Sequence, residues 1–147
     1  MRRSQLSNWY ESKFIVDHVK FSSMEQFMMY QKAITFQDQT IAKEILQTKD
    51  SAKIKQLGRQ VRNYNDHIWN GVRQIVVYEG LVAKFSQNEE LKKQLKETKT
   101  AILAECAVKD RIWGIGLSMK DLKRFDITQW RGQNLLGYAL MEVRKRL

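Results

Sequence analysis

Glu25 and Lys32 stand seven residues apart in the segment SSMEQFMMYQKA, 22–33. On a helix that spacing puts both on one face, about 10.5 Å apart along the axis. The same face carries Met28, Met29 and Phe36 at i+3 and i+4 spacings. A carboxylate and an amine on a stripe that is otherwise apolar admit two readings. In one, Glu25 closes a capping box and Lys32 snorkels its head to water. In the other, Lys32 is a partly desolvated amine. Burial and nearby cations lower a lysine's basicity, and a neutral amine can attack a carbonyl carbon to form a Schiff base.

Two further segments bring chemistry-bearing residues together. Asp110 to Gly116 (DRIWGIG) places an acid, the Trp113 indole, Gly114 and Gly116 within seven residues. Glycines let backbone N–H groups approach a ligand closely. An ordinary turn with a buried Trp113 would look the same. The glycine pair is not a dinucleotide fingerprint, because the third glycine is missing. The segment Trp130 to Gly137 (WRGQNLLG) opens the last helix, with Asn134 as its N-cap. The free N–H groups and dipole of a helix N-terminus suit an anion, although a plain loop and cap account for the same residues.

The elements that must position these groups follow from pattern. KFIVDHVKF (13–21) predicts a hairpin, with apolar residues at 14, 16, 19 and 21 around Asp17-His18. A helical period then begins at Ser22 and runs to Phe36. Ser22/Glu25 and Ser23/Gln26 both have capping-box spacing. Helices are also predicted over 38–47, 51–62 and 66–85. The last of these puts Ile68, Val72, Ile75, Val76 and Ala83 on its apolar side, with Gly80 a weak point. Ser86 and Glu89 have capping-box spacing for a helix to about Lys96. The apolar run 101–108 predicts a short strand, and 113–132 is punctuated by glycine and loop-rich. Leu135, Leu136, Ala139, Leu140, Val143 and Leu147 form the stripe of the final helix. The expected fold class is α+β and predominantly helical. It is a single compact domain over 1–147, with about six helices, a hairpin near 13–21 and a short strand near 101–108.

Composition narrows the function classes. The chain has 147 residues, enough for one domain with a real core. No apolar run approaches a membrane span and no apolar stretch follows Arg2-Arg3, so a cytoplasmic protein without a membrane partner is expected. Cys106 is the only cysteine, which excludes a disulfide framework and a cysteine-based zinc site. His18 and His67 lie far apart, and neither a metal nor a redox cofactor is expected. Lys and Arg total 26 against 16 Asp and Glu, a net charge of +10. Such a charge attracts phosphates, on a nucleic acid or on a small nucleotide, and dispersed charge is also an ordinary solvated surface.

Six segments, taken together and in order, carry more than any one of them. They are LSNWYESKF (6–14), SSMEQFMMYQKA (22–33), LGRQVRNYNDHIW (57–69), GLVAKFSQN (80–88), ILAECAVKDRIWGIG (102–116) and WRGQNLLGYALMEVR (130–144). They resemble the NADAR family, named for its association with NAD and ADP-ribose, across nearly the whole chain. The resemblance implies hydrolysis of an N-glycosidic bond to ribose. The substrates implied are phosphorylated ribosylamino-pyrimidine intermediates of riboflavin synthesis, or ADP-ribose carried on guanine bases of nucleic acid. It implies Lys32 as the Schiff-base lysine, Glu25 and Asp110 as acidic site residues, and Trp69 and Trp113 as aromatic site residues. Asn8, Gly114, Asn134 and Gly137 fall in its motifs as substrate-binding positions. Trp9 and Glu11 depart from the commoner Phe and Pro, which bears on substrate choice.

The chemistry suits these residue types. Breaking the bond from the anomeric carbon to nitrogen builds positive charge on the sugar and negative charge on the leaving base. A carboxylate stabilises the first and an acid assists the second. Arg59 and the N-terminus of the last helix near Asn134 are the candidate phosphate contacts. A non-catalytic sensor of ADP-ribose would need neither Glu25 nor Lys32. A structural nucleic-acid module would bind with a steep salt dependence and no turnover.

Overall fold

The computed structural model describes residues 12–147, so Asn8, Trp9 and Glu11 lie outside the described residues. Contacts cluster into two compact units, which among these residues are 12–89 and 90–147. The first holds β1 (Phe14–Val16), β2 (Val19–Phe21), α1 (Met24–Thr35), α2 (Gln39–Leu46), α3 (Ser51–Arg59) and α4 (Asp66–Ser86). The second holds α5 (Glu89–Glu97), two short 3-10 turns (Leu122–Phe125 and Ile127–Gln129) and α6 (Leu135–Arg146). The described residues thus form a predominantly helical α+β fold with six helices and one two-stranded sheet. No helix among them is long and apolar enough to cross a membrane.

The hairpin forms where alternation predicts it. β1 and β2 pair antiparallel, Phe14 opposite Phe21 and Val16 opposite Val19. Asp17 and His18 both take positive φ, 49° and 68°, as a tight two-residue turn of matching twist requires. Phe14, Phe21 and Phe27 then pack ring on ring, with centroids 5.0 to 5.8 Å apart. Gly80 is a packing residue rather than a flaw in α4. A Cβ there would lie 2.6 Å from the Phe27 ring and 2.9 Å from Met24. The end of α4 is tied to the hairpin by the Gln87 amide, which donates to Ile15 O and accepts from Ile15 N, both at 2.8 Å.

Four expectations are corrected. α3 ends at Arg59, not near 62, because the backbone N–H of Arg62 is drawn to the buried Asp38 carboxylate at 2.9 Å. On α4 the buried stripe is Trp69, Val76, Val77, Leu81 and Phe85, whereas Ile68 and Ile75 are 51% and 61% exposed. Ser86 ends α4, and its hydroxyl donates to Ala83 O instead of capping α5. The run 101–108 is not a strand, because its backbone groups are taken from outside any sheet. Asn134 Nδ2 donates to Leu103 O at 2.8 Å, Glu105 N donates to Asn134 Oδ1 at 2.9 Å, and Ile115 N donates to Glu105 O at 2.9 Å.

Asn134 therefore organises the second unit. It is fully buried and sits at φ 54°, ψ 37°, a left-handed conformation that asparagine tolerates. Asn134→Ala orphans Leu103 O and Glu105 N together and forfeits that conformational ease. The expected cost is about 2–4 kcal/mol, read as a lower denaturation midpoint at unchanged m-value. A residue that served only to touch a ligand would leave the midpoint in place.

Candidate functional site

The N-cap of α1 is Ser23, whose hydroxyl accepts from Gln26 N at 3.2 Å. Gln26 reaches back to accept from Ser22 N at 2.7 Å and sends its amide to Ile45 O and Thr48 O. The capping is thus done by Ser23 and Gln26, and Glu25 is released from it. Glu25 is 7% exposed on the α1 face toward α3, and burial pushes its carboxyl above the usual range. The Lys55 cation on α3 offsets part of that rise. A buried carboxyl of this kind favours the protonated form and can give up a proton to a departing group.

Lys32 lies two turns further along α1, half-buried. Desolvation lowers its basicity first and the Arg59 guanidinium of α3 lowers it further, while Asp66 acts in the opposite sense. Its Nζ stands 4.5 Å from the centre of the Tyr64 ring, a cation–π geometry that fixes where the amine points. Tyr64 is itself held: Phe36 meets its ring edge-on at 5.3 Å, and its hydroxyl donates to Asp66 at 2.8 Å. The loop that carries Tyr64 is anchored through Asp38. That carboxylate accepts from Arg62 N and Ile41 N, and these hydrogen bonds hold it below the usual range. Arg59 is exposed at the end of α3, where it can meet an anion.

Trp69 is 5% exposed on the buried face of α4. Tyr64, Asp66 and Asp38 were missed by reasoning on α1 alone. The signal for Tyr64 and Asp66 lay in the 57–69 segment, whereas Asp38 falls between the segments that carry the resemblance.

Asp110 and Trp113 belong to the second unit. One Asp110 carboxylate oxygen accepts from Ile112 N at 3.0 Å and Trp113 N at 2.8 Å, which shapes the DRIWG turn. This turn is stitched to 131–136. Arg131 N donates to Ile115 O, Gln133 N to Arg111 O, and Asn134 N to Gly114 O. Gly114 and Gly137 are required by close approach: a Cβ on Gly114 would lie 2.8 Å from Glu105 O, and one on Gly137 would collide with Leu103 O. The helix end expected to hold phosphate is otherwise committed. Leu135 N and Leu136 N, the first amides of α6, donate to Ile112 O and Trp113 O, and both groups of the Asn134 amide are engaged. The amides expected to meet an anion there are thus engaged within the protein, while Arg59, the other expected contact, is exposed.

The NADAR domain model matches residues 1–147. The chain is similar to N-glycosidase R617 of Acanthamoeba polyphaga mimivirus, 41% identical over 129 residues, which cover 88% of this chain and 76% of that protein. It is 30% identical over 132 residues to N-glycosidase YbiA of Escherichia coli (strain K12), covering 90% of this chain and 74% of that one. The NMR structure of the E. coli protein YbiA matches at a TM-score of 0.79 and 29% identity, over 97% of this chain and 76% of that chain. Riboflavin biosynthesis protein VVA0006 of Vibrio vulnificus (strain YJ016) is 30% identical over 142 residues, 97% of this chain but only 35% of that protein.

Proposed function

Since the chain belongs to the NADAR family, and its relatives R617 and YbiA are named N-glycosidases, we propose that it is an N-glycosyl hydrolase that works through Lys32. The bond cut joins C1 of a ribose to a nitrogen base, and the preferred substrate carries ADP-ribose on guanine. The observation that carries this reading is the pair on α1: an amine of lowered basicity and a carboxyl whose pKa burial raises, on one helix face.

The lone pair of the base nitrogen opens the sugar ring, the C1–O bond breaking with its electron pair on the ring oxygen, which takes a proton from solvent; Lys32 Nζ then adds to the imine-like C1 and gives up a proton to solvent. The C1–N bond to the base breaks with its electron pair on the base nitrogen, and Glu25 supplies a proton there. A lysine Schiff base remains on C1. Water hydrolyses it, giving the free sugar aldehyde, the neutral amine and a proton that returns to Glu25. The family resemblance assigns Asp110 as a second acid and Trp69 and Trp113 as aromatic contacts of base or sugar. The similarity to a riboflavin biosynthesis protein favours one alternative substrate, a phosphorylated ribosylamino-pyrimidine.

Incubation with ADP-ribosylated guanosine and, separately, with a ribosylamino-pyrimidine phosphate tests the reading, the products being identified by mass spectrometry. Release of free base from either supports it, and the faster of the two names the substrate. Intact substrate in both overturns it. Capture of phosphate by Arg59 predicts that added salt raises KM more than it lowers kcat. The slope against log salt is steep for a nucleic acid and shallow for a single nucleotide.

A further inference from the structure

The loop between α3 and α4 carries Tyr64 on a fixed backbone. Before it, Arg62 N donates to the buried Asp38 carboxylate at 2.9 Å, and Asn63 takes a positive φ of 58°, which asparagine tolerates. After it, Asn65 caps α4, its side-chain oxygen accepting from Ile68 N at 3.1 Å. The ring is held as well. Its hydroxyl donates to one Asp66 oxygen at 2.8 Å, the other Asp66 oxygen accepts from the Asn70 amide at 3.3 Å, and Phe36 packs against the ring at 5.3 Å.

Lys32 reaches this ring on a flexible four-carbon stem, with Nζ 4.5 Å from the ring centre. The ring is therefore the stationary partner and the stem the movable one. The attraction between them depends on charge. A ring quadrupole draws an ammonium, whereas a neutral amine gains only weak dispersion there. A Schiff base needs the neutral amine. Loss of the proton thus removes the force that keeps Nζ at the ring. Of the elements packed on α1, α3 brings the Arg59 guanidinium and the start of α4 brings Asp66 to bear on Lys32, with opposite signs. The charged residues of α2 and β2 (Lys43, Glu44 and Lys20) are exposed. Glu25 stands two turns back on α1, with the Lys55 cation of α3 acting on it.

We propose that Tyr64 is a positioning residue for the Lys32 nucleophile: its ring holds the ammonium and lets go of the neutral amine, so the event that arms Lys32 also frees it to turn toward C1. The consequence for turnover rests on the lysine reading above.

A pH titration of the full chain carrying 13C-labelled lysine, followed by NMR, tests this. The Lys32 ε-methylene signal is assigned by its absence from Lys32→Ala. Near neutral pH the ring current shifts its protons upfield, and the shift fades as the amine loses its proton. In Tyr64→Leu the upfield shift is gone and the affinity of Lys32 for its proton falls about two- to fivefold, the size of a cation–π contact at an exposed site. Tyr64→Gln, which also lacks the ring and suits an exposed loop, gives the same fall. Tyr64→Phe keeps the ring and restores both readouts. The proposal is overturned if the upfield shift persists in the neutral amine, if the ringless variants keep the parent's proton affinity, or if Tyr64→Phe behaves as they do. The titration needs no glycosidic substrate, so those results leave the lysine reading standing. Conversely, a protein that releases no base yet shows the predicted titration loses that reading and keeps the holder.

Discussion

Replacing Lys32 by alanine abolishes turnover and leaves the protein folded. The amine is the only protein atom in the proposed sequence that bonds to C1, so its loss removes the covalent route rather than slowing it. A fall in kcat on the order of 10³-fold or more is expected, about 4 kcal/mol of barrier. Stability should move by no more than about 1 kcal/mol, since alanine is a good helix former and the partly buried ammonium is no large asset. Burial and the Arg59 guanidinium hold the folded-state pKa of Lys32 below the ordinary lysine value of 10.5, so its charge opposes folding at neutral pH. That cost lifts as pH climbs from the folded value toward 10.5. Lys32→Arg separates charge from nucleophile. It keeps a cation over Tyr64 and should be as inactive as the alanine variant. Near-parental kcat in either variant would refute the covalent role.

Glu25→Gln should lose activity on the order of 100-fold or more without losing stability. The structural case for Glu25 as a cap is gone, because Ser23 and Gln26 perform that task. Burial raises the folded-state pKa of Glu25 above the ordinary value of 4.5, so the native state holds the proton more tightly than the unfolded chain. Its contribution to stability is complete below about pH 4.5 and falls away as pH rises through the folded value. At neutral pH the buried carboxyl is therefore a cost, and the uncharged amide relieves it. Urea midpoints at pH 4 and pH 8 check the sign: the variant should gain on the parent as pH rises. An active, destabilised Gln variant would return Glu25 to a structural role.

What the sequence disclosed followed the range of the interactions concerned. The hairpin and the helix starts were legible because alternation, capping spacing and the 3.6 period act over a few residues, as at Asp17-His18 and Ser23. Glu25 and Lys32 were legible as a pair for the same reason, since one helix carries both. The segment 101–108 was not, because its backbone partners come from Asn134 and Ile115. An apolar run cannot announce that a distant amide will take its hydrogen bonds. On α4 the period alone left two stripes, and packing against α1 and β1 chose the one through Trp69 and Val76. Tyr64 reaches Lys32 only because Asp38, 24 residues before Arg62, ties down the loop between α3 and α4. The start of α6 was illegible on the same ground: the amides that a helix N-terminus ordinarily offers are taken there by Ile112 and Trp113.

The lysine intermediate is tested most directly by borohydride trapping during turnover. A Schiff base reduced in place becomes a stable secondary amine, heavier by the bound sugar, and peptide mapping locates it. The mapping must separate Lys32 from Lys84, a fully buried lysine on α4 whose pKa burial pushes down to about 8. The account predicts an adduct on Lys32 that appears only when substrate and borohydride are both present and is absent from Lys32→Ala. Turnover that leaves no adduct, or an adduct on Lys84 or any other lysine, contradicts it.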